Sequence, residues 1–292
     1  MIIVISYENI YAVKRLREEA KGLQVDIYVL DARIWFSRWN FVNKLKMWAL
    51  YCRLQPTALF IRSCFPKYNE VHHFARFMSD RGVRVVDEKI AKERLEMSKV
   101  AYLRDLRNVG LISYDVDLLL DYSKSGVERY MAQHKLSFPI AMKWTYGFGQ
   151  MGVRFVNDMQ QTLKALAEFP IGEVFLMPYI VADCEYKVLV IGYKSVNTVL
   201  KVEFKHNKLG PNLLKSEPLP ASKLPEVVAL AEHTARFLGR EVSKVDILSK
   251  DGKLTILEAN RFPGFEYFET HTKENVAKKI LEYVKTTKFT GA

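Results

Sequence analysis

Two periods of apolar spacing alternate along the first third of the chain. Residues 2–6 (IIVIS) and 25–30 (VDIYVL) are short β-rich runs, and YAVKRLREEAKGL between them has helical spacing. The order repeats with strand-like TALFIRS (57–63), helix-like YNEVHHFARFMSDRG (68–82) and strand-like VRVVD (83–87). Strands alternating with helices predict a parallel sheet joined by crossovers. Residues 1–90 are therefore expected to form a small N-terminal α/β domain. Inside it, 32–54 is aromatic and basic and holds three of the four tryptophans. Phe41, Leu45, Trp48 and Cys52 fall at helical spacing, which predicts a face packed on a neighbouring sheet. The alternative is a surface that meets a substrate or partner.

Farther on, 89–109 reads as charged helix closed by Gly110, and 123–134 as a second helix. Strand PIAMKW, a glycine turn, strand GVRFVN, helix 159–169 and strand EVFLMPYI (173–180) follow. The last third is strand-rich: YKVLVIG, KSVNTVLKVEF, helix LPEVVALAEHTARFLG, then VSKVDILS and KLTILEAN joined at Lys250-Asp251-Gly252. That turn between alternating runs is a hairpin signal. The expected class is α/β (α+β), divided as 1–90, 91–178 and 179–292.

Composition narrows this little. About half of the 292 residues are apolar and a quarter charged, as in an ordinary globular protein with a core of good size. No run approaches the ~20 apolar residues of a membrane span, and the N-terminus has no basic leader, so a cytoplasmic protein is expected. The three dispersed cysteines predict reduced thiols in or near the core rather than a zinc site. Net charge +11 favours anionic partners without choosing among nucleotide, acidic peptide, nucleic acid and membrane surface. Of the six histidines, only His206 stands near other candidate chemistry, and no Ser-His-Asp or Cys-His set is present.

The chemistry concentrates in two stretches. FPIAMKWTYGFGQMGVRFV (138–156) spaces Gly147, Gly149 and Gly152 as G-x-G-x-x-G. A dinucleotide fingerprint would continue into a helix, but Val153, Phe155 and Val156 read as strand. A P-loop needs Gly-Lys-Ser/Thr, and a kinase glycine loop needs His-Arg-Asp and Asp-Phe-Gly downstream; none occurs. What remains is a hairpin in which Lys143 projects from the entry strand toward a phosphate. The glycines let backbone N–H groups close over that phosphate. The plain alternative is a glycine-rich hairpin with a surface lysine.

The second stretch, VDILSKDGKLTILEANRFPGFEYFE (245–269), sets Asp246 and Glu258 on neighbouring strands, with Asn260 two positions beyond Glu258. Two carboxylates and an amide oxygen suit Mg²⁺, which takes few protein ligands plus nucleotide phosphates. A surface Asp and Glu flanking a hairpin is the bland reading.

Together the two stretches resemble the ATP-grasp superfamily of carboxylate–amine ligases, closest to the ribosomal-protein glutamate ligase (RimK-like) branch. KWTYGFGQMGV is similar to its lysine and glycine loop, VDIL and EANRFPGFE to its metal strands. The resemblance runs from roughly residue 90 to 270. It implies an ATP-grasp fold behind a Rossmann-like pre-ATP-grasp domain. It implies that Lys143, Gly147, Phe148, Gly149, Gln150 and Gly152 meet the phosphates. Lys99 would join them, with Lys92 or Arg94 as substitutes. Met177, Pro178, Tyr179 and Ile180 would form the adenine hinge, and Asp183 or Glu185 the ribose contact. Glu185 and Lys187 match the family's Asp-x-Arg strand. Asp246, Glu258 and Asn260 would hold a pair of Mg²⁺ ions, for which Mn²⁺ can substitute. Asn212, Lys215 and Arg261 would face the γ-phosphate, the carboxylate or the acyl phosphate.

The hinge departs from the family: Met177-Pro178 stands where Gln-Glu is usual, and proline has no N–H. The resemblance implies ATP- and Mg²⁺-dependent amide formation through an acyl phosphate. The carboxylate would be an acidic amino acid, peptide or small metabolite, with an amine as second substrate. A catalytically silent ATP-binding scaffold is the alternative. Nucleic acid is not an expected partner; a homo-oligomer or an acidic partner is compatible.

Overall fold

The computed structural model describes residues 1–8, 10–36, 41–93, 98–147, 152–207 and 210–286. The N-terminal strands β1 (Ile2–Ser6), β2 (Ile27–Asp31), β3 (Ala58–Ile61) and β4 (Arg84–Val86) form one parallel sheet in the order β2-β1-β3-β4. Its crossovers are α1 (Tyr11–Gly22), α2 (Ala32–Trp35) with α3 (Phe41–Leu54), and α4 (Tyr68–Ser79). β1, β3 and β4 are buried throughout, as expected for strands covered on both faces. The short α5 (Lys89–Lys92) follows β4.

The expectation for 32–54 needs correcting. α3 packs inward through Met47 and Leu50, whereas Leu45 and Trp48 are 55% and 50% exposed and Cys52 is also exposed. Apolar residues nearly ring this helix, so spacing alone does not single out the buried stripe. Trp48 instead lies over the Arg81 guanidinium, which also caps Phe77 at 3.7 Å. Cys64 and Cys184 are buried thiols as expected.

Next come α6 (Lys99–Asn108), α7 (Lys124–Gln133), β5 (Ile140–Trp144), β6 (Val153–Val156), α8 (Met159–Leu166) and β7 (Val174–Pro178). Ser98, Ser123 and Asp158 cap the three helices by accepting from Ala101, Gly126 and Gln161 N–H, each contributing about 1 kcal/mol. β6-β5-β7 is an antiparallel sheet. Ile140 and Met142 bury one face of β5 against α7 and α8. Ala141 and Lys143 alternate to the other face, where Ala141 packs with the second large sheet.

That sheet contains β8 (Cys184–Ile191), β9 (Lys194–Asn207), β10 (Gly210–Pro220), β11 (Val242–Lys250) and β12 (Lys253–Asn260), ordered β10-β9-β8-β11-β12. Val188, Val199, Val245, Ile247, Ile256 and Ala259 pack one face onto α6 and α9 (Pro225–Phe237). Leu189, Leu200, Val202 and Val242 on the opposite face join the parallel sheet through α10 (Glu266–Thr272) and α11 (Val276–Thr286). The sequence pattern shows neither β10 nor the two closing helices. β10 holds Pro211, Pro218 and Pro220, which an edge strand tolerates and a central strand would not.

Candidate active site

Strands β8, β11 and β12, at one side of the five-stranded sheet, carry the charge. Asp246 on β11 lies opposite Lys187 on β8 and opposite Glu258 on β12, and Lys244 lies opposite Asn260. Glu185, two positions before Lys187, belongs to the same face.

A regular hairpin from the Asp251-Gly252 turn would not produce this. Pairing runs Lys250↔Lys253 to Ile247↔Ile256 and then shifts, so that Asp246 meets Glu258 and Leu257 has no counterpart. Without that bulge Asp246 would face Leu257, and Glu258 would follow Ile256 into the core. One extra residue turns Glu258 to the charged face while Ile256 and Ala259 stay buried.

The acids and lysines hold one another. Lys99 Nζ is 2.6 Å from Glu258 Oε1. Lys187 Nζ is 2.5 Å from Glu185 Oε1 and 3.8 Å from Asp246 Oδ1, and Lys244 Nζ is 3.6 Å from Asp246 Oδ2. Burial pushes the Glu258 carboxyl up, but Lys99 and Lys143 outweigh it and hold it below the usual carboxylate range. Burial also opposes the Lys187 ammonium, and Asp246 and Glu185 reverse this, raising its pKa. Glu185 is pushed up by burial and by neighbouring Asp246.

Lys143 comes from the other sheet and completes the cluster. It is buried, and desolvation, with Lys99 adding to it, brings its pKa down to about 8 despite the attraction of Glu258, Glu185 and Asp246. The hairpin base is tied to α6: Lys99 N–H donates to Thr145 O at 3.1 Å, and the Ser98 and Thr145 hydroxyls are 2.9 Å apart. A Cβ on Gly152 would lie 2.8 Å from the Gly147 Cα, and one on Gly147 would lie 3.0 Å from the Gly152 Cα. Backbone touches backbone at the neck of the loop, so only glycine fits at either position. Phe148, Gly149, Gln150 and Arg94 lie outside the described residues.

At the hinge, Met177 is buried and pairs with Ala141, and Pro178 ends β7. The Tyr179 hydroxyl meets His206 Nδ1 at 2.6 Å, and His206 Nε2 lies 2.8 Å from Ala182 O. Phe155 packs edge-on against Tyr179, with Ile180 in the same apolar cluster. Hairpin, hinge and β9 thus meet in one aromatic corner.

Other expected residues stand apart. Asp183 accepts from Asp251 N–H at 2.8 Å, which holds it on the β11–β12 turn. Asn212 and Lys215 are exposed on β10, and Lys215 pairs with Glu217 at 3.1 Å. Lys92 pairs with Glu88. Arg261 donates to Asp87 Oδ2 at 2.6 Å; Asp87 is buried, and it also accepts from Glu241 and Val242 N–H. Burial lifts Asp87 to about 6 despite Arg261. In this arrangement Arg261 joins the end of β4 to the end of β12. Sequence reasoning passed over Lys244, although its place two residues before Asp246 put it on the same face.

The donor set fits a hard cation. Asp246 Oδ1 is buried without a hydrogen-bond partner. Asn260 gives its amide N–H₂ to Asp246 Oδ2 at 3.3 Å, which leaves its oxygen as an acceptor. A carboxylate oxygen lacking a hydrogen bond beside a second carboxylate and an amide oxygen is an all-oxygen set.

Two antiparallel sheets that close on a lysine–carboxylate cluster define an ATP-grasp fold. Solved ATP-grasp structures superpose on nearly the whole chain. The ligase PsnB, complexed with minimal precursor, matches with a TM-score of 0.68, 16% identity and coverage of 97% of this chain and 98% of PsnB. D-alanine–D-alanine ligase from Bacillus anthracis matches with a TM-score of 0.64, 18% identity and coverage of 98% and 96%. The sequence matches the RimK-like ATP-grasp domain over residues 106–284, and the chain belongs to that family. A probable alpha-L-glutamate ligase of Halorhodospira halophila is 28% identical over 160 residues, 52% of each chain. The match thus spans about half that relative's length. Probable alpha-L-glutamate ligase 2 of Pseudoalteromonas atlantica is 22% identical over 95% of this chain and 92% of its own.

Proposed function

We propose that the protein is an ATP- and Mg²⁺-dependent carboxylate–amine ligase that works through an acyl phosphate. One observation carries this reading: buried Lys143 of the glycine hairpin lies where the Glu258, Glu185 and Asp246 carboxylates of the facing sheet attract its ammonium. A nearly full-length relative named as a probable glutamate ligase supports an acidic amino acid, peptide or small metabolite as a substrate.

In this mechanism Lys143 and Lys99 hold the ATP phosphates, beneath a loop whose neck is Gly147 and Gly152. Asp246, Glu258 and Asn260 would hold Mg²⁺, which when bound neutralises charge on the β- and γ-phosphates. Lys99, now paired to Glu258, is free to turn to phosphate when a cation takes that carboxylate. A substrate carboxylate oxygen attacks the γ-phosphorus as its bond to ADP breaks, giving an acyl phosphate. The amine nitrogen then attacks the acyl carbon. Phosphate leaves, the nitrogen gives up its proton, and an amide remains. No protein nucleophile is required; alignment of the reactants can account for about 7–11 kcal/mol of barrier lowering. The aromatic corner at Tyr179 and Phe155 is the place for adenine, with one hinge N–H absent at Pro178.

The retained phosphate and cation ligands weigh against a silent scaffold. The test is ADP release across a panel of amino acids and carboxylates, with mass spectrometry of the product. ATP bound but never hydrolysed with any pair would favour the scaffold; an amide product with one ADP per bond is the expected result.

A further inference from the structure

β1 and β3 end side by side at the carboxyl edge of the parallel sheet. Arg62 N–H donates to Ile5 O at 2.7 Å, which sets Arg62 level with Ser6. Strand alternation extends one face from Val4 to Ser6 and from Phe60 to Arg62. Val4 and Phe60 pack in the cluster that holds Phe265 and Phe268, so Ser6 and Arg62 are directed toward the second half of the molecule. The Arg62 guanidinium lies over the Phe265 ring at 5.5 Å. Phe265 is five residues beyond Asn260, in the segment that leaves the cation site.

Both side chains are buried, and each holds a polar atom without a hydrogen-bond partner. Arg62 is 4% exposed with no hydrogen bond to Nε, and Ser6 is fully buried with no partner for Oγ. Neighbouring acids are already engaged. Asp87 serves Arg261 and two backbone N–H groups. Glu269 serves Tyr11, Arg15 and the start of α11. Asp31 serves Arg33 and Glu8 N–H. Burial alone lowers the Arg62 pKa, to about 10, with no carboxylate offsetting it. A buried guanidinium without an anion is costly, and an anionic ligand would supply the missing partner. The carboxyl end of a parallel sheet is a usual place for one. Two residues beyond Arg62, Cys64 is within electrostatic reach of Arg261, and Tyr68 is within reach of Tyr146 at the mouth of the hairpin.

We propose that Arg62 and Ser6 form a carboxylate subsite that anchors an acidic substrate against the N-terminal sheet, with Phe265 as its wall. The guanidinium fork takes the carboxylate in two hydrogen bonds and the serine hydroxyl donates a third. This rests on the ligase reading but concerns residues outside the nucleotide and cation set.

Calorimetric titration of the full chain separates the two. Mg²⁺·AMPPNP probes the nucleotide site; L-glutamate, added afterwards, probes the subsite. Arg62→Gln is expected to weaken L-glutamate roughly ten- to hundredfold, as for loss of a charged hydrogen bond, and to leave Mg²⁺·AMPPNP within about twofold. Ser6→Ala, which removes one hydroxyl, is expected to cost about threefold and carries the test should Arg62→Gln fail to fold. Equal L-glutamate binding by wild type and Arg62→Gln overturns the proposal, as does a wild type that binds no L-glutamate. Inorganic phosphate that excludes L-glutamate and loses its own binding in Arg62→Gln overturns the carboxylate assignment. Loss of Mg²⁺·AMPPNP binding by the wild type would instead undo the ligase reading, and the L-glutamate titration would still judge the subsite.

Discussion

The five-stranded sheet contains two regions built from the same residue types. On β8, β11 and β12, Glu185, Lys187, Lys244, Asp246 and Glu258 converge and partly shield one another from water. On the opposite edge strand, β10, Asn212 and Lys215 lie open across a bulge at Leu214, and Lys215 pairs with its strand neighbour Glu217 at 3.1 Å. The difference is cover. Lys143 and α6 close over the charged cluster, whereas nothing among the described residues closes over β10 at these positions. Charges in the covered region interact strongly because little water screens them; exposed pairs contribute about 0–1 kcal/mol. The contrast predicts where substitution will be felt.

The largest effect belongs to Asp246→Asn combined with Glu258→Gln. ADP formation should fall by about a thousandfold or more, since both carboxylates assigned to the cation are lost. Turnover near wild type in a steady-state assay would end the assignment of the charged cluster. Lys143→Met should lower kcat/KM for ATP by roughly a hundredfold. Its melting temperature should not fall, because a desolvated ammonium is replaced by an apolar chain of similar length. A scan showing strong destabilisation with intact activity would make Lys143 structural.

Gly152→Ala should weaken Mg²⁺·ATP and cost about 1–3 kcal/mol of stability, because the new Cβ meets the Gly147 backbone. Nucleotide titration and a denaturant melt read the two quantities.

A smaller effect follows from the Lys143 pKa of about 8. In the free protein this lysine loses its proton as pH rises through that value. ATP affinity should therefore fall between pH 7 and 9, and Lys143→Arg should flatten the profile. The stability contribution has the opposite slope. The folded chain holds this proton less tightly than the unfolded one, so stability from Lys143 rises from about pH 8 toward the ordinary lysine value of 10.5. Smallest of all, Lys215→Ala and Asn212→Ala should each change kcat/KM by no more than about twofold. A tenfold loss in either would mean that the outer strand folds over the site during turnover, and the contrast would vanish.

Much of the fold was legible in local pattern. The strand–helix alternation of residues 1–90 corresponds to the parallel sheet, and the Lys250-Asp251-Gly252 turn does join β11 to β12. The proline-bearing β10 was not legible, because its strand character comes from pairing with β9 rather than from its own residues. The buried stripe of α3 was misread where apolar residues nearly surround the helix. Among candidate site residues, Lys143, Asp246 and Glu258 were recognisable by type and spacing. Lys244 could have been added by strand parity. Arg62 and Ser6 could not: each is ordinary in sequence and unusual only in burying a polar atom without a hydrogen bond.

The chain's order of residues determined the types and periods of most elements, the lysine ahead of the glycines and the acids flanking the final turn. Tertiary structure alone decided that Leu257 bulges, that Glu258 thereby turns from the core to the charged face, and that Arg261 closes on Asp87. Periodicity counts positions within a segment. Which face an acid takes, and whether a cation finds a counter-ion, depends on strand register and on groups more than a hundred residues away.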